Sequence, residues 1–164
     1  MAKNKEVKTN AMRLLDKKKI TYETFTYECD EFIDAIHIAD LLELPYEKVY
    51  KTLVTKGVGN EYYVFVLPIQ KELNLKKAAK LAGEKSLSMV PVKDINKITG
   101  YIRGGCTAIG MKKQYKTWID ESAESLSWMI VSGGKLGVQI KLQPKDLREA
   151  ANAVFADITM ESTD

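Results

Sequence analysis

Val49-Tyr50-Lys51-Thr52-Leu53-Val54-Thr55-Lys56, followed after a short break by Tyr62-Tyr63-Val64-Phe65-Val66-Leu67, is the stretch that decides the fold. Both runs are rich in β-branched and aromatic residues, and Gly57, Gly59 and Asn60 between them suit a tight reversal. The pair reads as a hairpin. Alternation sets Tyr50, Thr52 and Val54 on one face of its first strand, and Val49, Lys51 and Leu53 on the other.

Upstream of the hairpin, residues 8–19 keep Ala11, Leu14 and Leu15 on one face and read as an amphipathic helix. Residues 20–27 have strand composition, and Asp34 can cap a helix running to Leu42. Downstream, Asn74 caps a helix through Ala82 that Gly83 ends. A short strand at 86–90 and a short helix opened by Pro91 follow. From Gly100 to Gly137 the chain holds seven of its ten glycines, with short strands at 117–119, 128–131 and 138–142. Pro144 and Asp146 begin a last helix expected to end near Phe155.

Strands interrupted by helices, without regular alternation, predict an α/β (α+β) chain with a mixed sheet and helices outside it. The 164 residues suit a single domain over 1–164, with 1–7 and 158–164 flexible. There is no apolar stretch of bilayer length, no export leader and no solenoid repeat, so a cytoplasmic location is expected. Cys29 and Cys106 are too few for a disulfide framework and read as free thiols. The net charge of +3 allows local RNA contact without demanding it. The lysines of Lys112-Lys113-Gln114-Tyr115-Lys116, and Lys76, Lys77 and Lys80, read as solvated faces.

Several chemistries have no support. GxGxxG, GxxxxGK[ST], CxxC and HExxH are all missing, so no cofactor and no metal are expected. The single histidine, His37, reads as packing on its helix, and no GxSxG accompanies it for a serine triad. Cys106 follows Gly104-Gly105, whose amides could activate a thiol, but it lacks a base and reads as a buried turn residue. Lys51 shares a face with Val49 and Leu53, so it either snorkels to water or projects into a polar cleft. The segments Arg103-Gly104-Gly105-Cys106-Thr107 and Ser132-Gly133-Gly134-Lys135 either turn the chain or bring main-chain N–H groups to a ligand.

In this order, the segments resemble the YbaK/EbsC family of aminoacyl-tRNA deacylases over nearly the whole chain. The landmarks are Thr26-Tyr27-Glu28, Val49 to Leu53, Leu73 to Ala79, Thr99 to Gly105, Ile109 to Lys113, Val131 to Lys135, and Phe155 to Ile158. The resemblance implies a mixed, barrel-like sheet surrounded by helices, and trans-editing that removes cysteine mischarged onto tRNA(Pro). The partner implied is the 3′ acceptor end of aminoacyl-tRNA, with prolyl-tRNA synthetase as a candidate second partner. Related branches act on alanine or other small amino acids, and a non-catalytic tRNA- or synthetase-binding module is the rival class.

Matched motif to motif, the resemblance puts the catalytic positions on Lys51, Tyr27 and Gly104. Substrate binding falls to Thr52, Gly105, Ser132, Gly133, Gly134 and Gln139. Well-known cysteine-specific members carry an aspartate where this chain has Gln139, and Ser-Pro where it has Thr107-Ala108. In those enzymes the substrate's own thiol attacks its ester carbonyl, which requires no protein nucleophile and no metal.

Overall fold

The computed structural model describes residues 8–161. The hairpin forms where expected: β2 (Tyr50–Lys56) pairs antiparallel with β3 (Tyr62–Pro68), from Tyr50 opposite Pro68 to Lys56 opposite Tyr62. Asn60, at φ 66°, supplies the left-handed residue of the reversal. From Tyr63 onward every residue of β3 is buried, as expected of a central strand whose sequence is apolar without alternation. Its other neighbour is β5 (Lys116–Asp120), parallel to it, followed by β8 (Ala153–Ala156), also parallel. With β4 (Ser88–Met89) on the far edge, the sheet order is β4-β2-β3-β5-β8.

A second, antiparallel sheet has the order β1-β7-β6, from Glu23–Thr26, Val138–Leu142 and Met129–Ser132. A parallel bridge between Val49 and Ile130 joins it to the start of β2. Its inner face, Met129, Val131, Val138, Ile140 and Leu142, meets Val64 and Val66 of β3. Helices α1 (Asn10–Lys17) and α5 (Pro144–Ala151) close that core with Leu15 and Leu147, neither exposed. On the opposite face of β3, Phe65 stacks on Trp118 at 5.2 Å and packs with α3 (Leu75–Ala82). Asn74 caps α3 and left-handed Gly83 ends it. The short α4 (Ile95–Thr99) follows Pro91 by one turn of 3₁₀ helix. The mixed sheet arrangement with helices outside is the fold class expected.

Two local expectations are corrected. The last helix stops at Ala151, not near Phe155, because Asn152 turns left-handed at φ 53° and frees the chain to pair as β8. Residues 158–160, expected to be flexible, are held. Ile158 is fully buried, and its N–H donates to Asp120 Oδ1 at 3.1 Å. Thr159 bridges Leu73, and the Met160 N–H donates to the Glu72 carbonyl at 2.9 Å. The expected flexibility of 1–7, and of 162–164, lies outside the described residues.

Ile158→Val should therefore cost about 0.5–1.5 kcal/mol in denaturant unfolding, with an unchanged m-value. A frayed terminus would give no change.

Candidate active site

Two segments bound the principal cavity, which measures about 440 Å³. One is the loop leading into α2 (Ala35–Leu41) with the first turn of that helix; the other is the start of β2. Gly104 closes one side, and Ser132 and Gln139 on the outer face of the small sheet close another. Phe32, Ile36, Val49 and Ile69 make much of the wall apolar. Of the sequence-expected residues, Lys51, Thr52, Gly104, Ser132 and Gln139 meet here.

The two readings left open for Lys51 are decided by this geometry. Its strand face looks into the cavity, with the Nζ at 3.5 Å from the Ile69 carbonyl, a long contact for a charged donor. Burial holds its pKa below the ordinary lysine value, opposed by the Glu72 carboxylate. Lys51 thus remains available to an anionic ligand.

Gly104 sits at φ 91°, and its carbonyl accepts from Ser132 Oγ at 3.4 Å. Its N–H has no acceptor among the described residues. The neighbouring Gly105 N–H is engaged, donating to the Ile102 carbonyl at 2.9 Å. Gly133 and Gly134 have structural duties as well. The Gly133 N–H donates to Val138 at 2.9 Å in the β6–β7 turn, and its carbonyl accepts from Thr9 Oγ1 at 2.7 Å. Gly134, at φ 103°, lies under Thr9, the residue that caps α1. In the second glycine segment, Ser132 reaches the cavity while the glycines shape the turn behind it.

Gln139 is nearly fully buried, and its Nε2 donates to the Tyr27 hydroxyl at 3.4 Å. The tyrosine does not line the cavity itself; it stands behind Gln139, and burial raises its pKa. Tyr27 remains a neutral hydroxyl there. Cys106 lines the cavity too, yet burial pushes its thiol up to about 11, so at neutral pH it is protonated and a poor nucleophile. Both cysteines are free.

His37 is a correction. It does not pack: its side chain is 74% exposed at the cavity wall, with Nδ1 at 2.9 Å from Asp34, the residue that caps α2. Ile38 and Ala39 take the buried face of this short helix, which turns His37 outward. The backbone N–H and ring of His37 hold the Asp34 carboxyl below its ordinary pKa.

Sequence reasoning also missed Phe32 and Arg103 as cavity residues. The Arg103 guanidinium lies 3.9 Å from the Phe32 ring centroid, and the two meet at the cavity wall. The available signal was Phe32-Ile33, an apolar pair inside an otherwise acidic run. The lysines of the cluster near Lys112 are exposed, the solvated face expected, while two of its residues tie the segment to α4. Lys112 Nζ donates to the Lys97 carbonyl at 2.9 Å and the Tyr115 hydroxyl to Ile98 at 2.6 Å.

A lysine ammonium, two hydroxyls and a buried amide thus meet in one apolar-walled cavity, the kind of concave, mostly apolar site with a few placed polar groups that small-molecule binding uses. The chain belongs to the aminoacyl-tRNA editing domain family, whose description matches residues 33–150. An Enterococcus faecalis protein carrying the assigned name Cys-tRNA(Pro)/Cys-tRNA(Cys) deacylase EbsC is 44% identical, over 97% of this chain and 98% of its own. A proline–tRNA ligase from Fervidobacterium nodosum is 31% identical over 58% of this chain, which spans only 16% of that enzyme. Among solved structures, hypothetical protein APE2540 superposes with a TM-score of 0.84 at 22% identity, covering 92% of this chain and 99% of its own. A structure described as a trans-editing enzyme for prolyl tRNA synthetase gives 0.80 at 20% identity, covering 95% and 100%. Among the described residues, no helix is long and apolar enough to cross a membrane.

Proposed function

We propose that this chain is a cytoplasmic trans-editing deacylase that removes cysteine from mischarged tRNA(Pro), with prolyl-tRNA synthetase as a candidate partner. The observation that carries this reading is the cavity itself: it gathers Lys51, Thr52, Ser132, Gly104 and Gln139, while its one thiol is protonated. Such a site suits a reaction in which the enzyme orients and stabilises and the substrate supplies the nucleophile. The family and the 44% identical relative support the aminoacyl ester as substrate.

In the proposed step, the cysteinyl sulfur bonds to its own ester carbonyl carbon and the carbon–oxygen bond to the terminal ribose breaks. The thiol proton ends on the departing ribose hydroxyl, and the products are a cyclic thiolactone and free tRNA. Lys51 neutralises negative charge at the terminal nucleotide. The Gly104 N–H faces the developing oxyanion, with Ser132 Oγ bracing the Gly104 carbonyl. With Gln139 Nε2 engaged by Tyr27, Oε1 is left as a neutral acceptor for the substrate's α-ammonium. Gly105, Gly133 and Gly134 contribute by holding these groups in place.

The test is deacylation of Cys-tRNA(Pro) beside Ala-tRNA(Pro) by the wild-type chain and Cys106→Ala. Rapid loss of cysteine alone, with the two proteins equal within about twofold, is expected because the Cys106 thiol takes no part. Loss of alanine instead would place the chain with alanine-type editing. No acceleration of either would favour a binding module, and inactivity of Cys106→Ala alone would restore an enzyme thiol.

A further inference from the structure

Beyond the cavity, two lysines converge on one indole. Lys48 Nζ lies 4.7 Å, and Lys141 Nζ 4.5 Å, from the Trp128 ring centroid. The three residues come from different elements, and each is partly exposed. Two like charges on a single ring are unfavourable unless something compensates them. Compensation within the protein is slight. Lys141 reaches only the exposed Glu23 carboxylate, at 4.0 Å, and Lys48 has no ion pair among the described residues.

All three elements lead directly to the cavity. Lys141 is two residues beyond Gln139 on β7, so both share a strand face at a separation of about 7 Å. Across the ladder, Ser132 pairs with Gln139, and Ile130 with Lys141, and Trp128 immediately precedes that strand. Lys48 precedes Val49, which bridges Ile130, and lies three residues before Lys51. The indole is anchored against the same apolar cluster that holds Val49 and Ile69, two of the cavity's walls. A basic, aromatic platform therefore continues the cavity outward.

We infer that Lys48, Trp128 and Lys141 form the binding platform for the unpaired ribose–phosphate strand that leads into the cavity, gripping the phosphates just upstream of the terminal nucleotide. This rests on the deacylase reading for the identity of that strand. The chemistry suits single-stranded RNA: paired cations for the backbone and an aromatic surface tolerant of any base. It also supplies affinity that a net charge of +3 does not give globally.

The test combines two substrates and one ligand. They are a cysteinylated acceptor minihelix ending in its unpaired 3′ terminus, cysteine esterified to adenosine alone, and the uncharged minihelix. Lys48→Gln/Lys141→Gln should weaken uncharged-minihelix binding about tenfold near 0.1 M salt. It should also flatten the log–log salt slope by about 1.4, since each single-strand phosphate contact contributes about 0.7. Lys48→Gln alone should show half that change in slope. Turnover of the adenosine ester, which is too short to reach the platform, should be unaffected. Minihelix addition should alter Trp128 fluorescence, because the other indole, Trp118, is only 9% exposed. An unchanged salt slope, or an equal loss on both esters, would overturn the platform. So would loss of binding to purified prolyl-tRNA synthetase with RNA binding intact, which would make the surface a protein contact. Failure of the wild-type chain to turn over either ester would count against the deacylase reading, while the binding measurements would still decide the platform.

Discussion

Lys51→Ala should lower single-turnover deacylation of Cys-tRNA(Pro) by about 10²–10³ or more, with little change in Tm. Lys51 combines a strand position that aims it into the cavity with partial burial that makes its charge more effective than a solvated one. Its side-chain hydrogen bond among the described residues, 3.5 Å to the Ile69 carbonyl, is too weak for the fold to depend on it. Lys51→Met retains most of the stem and should be as inactive as Lys51→Ala, separating charge from packing. Turnover at the wild-type rate by either variant would remove Lys51 from the mechanism.

Gly104→Ala is expected to have the second largest effect, acting through geometry. At φ 91° any L-residue is strained, by about 1–3 kcal/mol. An added Cβ would also lie 2.7 Å from Leu136 Cδ2 and 3.2 Å from Phe32 Cδ1. Leucine can yield, but Phe32 lies under the Arg103 guanidinium, so the cavity wall shifts with it. A displacement of about 1 Å of the N–H proposed to face the oxyanion should cost about 10²-fold in kcat. The expected protein is folded, a few degrees lower in Tm, and nearly inactive. Gly105→Ala should behave differently. Its Cβ would meet the Lys135 backbone at 2.7 Å, which cannot move cheaply, so stability should fall along with activity. Full activity in Gly104→Ala would show that this amide does not face the reacting carbonyl.

Much of the fold was legible from local chemistry. The hairpin, the caps Asp34 and Asn74, and the left-handed stop at Gly83 depend on neighbours within a few residues, and they fall where the sequence places them. The errors lie where distant chain decides. Residues 153–156 are alanine-rich enough to continue a helix, but the open edge of β5 takes them as a strand. Residues 158–160 look like a tail until Asp120 and Glu72 supply the acceptors for their N–H groups.

The site divides in the same way. That Lys51 faces opposite to Tyr50 and Thr52 in its strand follows from alternation, and that Gly104 belongs to a turn follows from its neighbour Gly105. Which of these turns faces a ligand was not readable, because paired glycines look alike whether they frame a cavity or seat a helix. Arg103-Gly104 does the first and Gly133-Gly134 the second, under Thr9. The outward position of His37, the Arg103–Phe32 contact and the convergence of Lys48 and Lys141 on Trp128 each join residues remote in sequence or depend on how a helix is docked. By itself, the sequence determined the hairpin and most of the other strands, the Asp34 and Asn74 caps, the protein's class and the residue types available for chemistry, since those follow from short-range sterics, periodicity and ordered motifs. Only the tertiary structure decided which of those residues share one cavity, because long-range packing brings six separate stretches of chain together and buries Lys51, Cys106 and Gln139 to different depths.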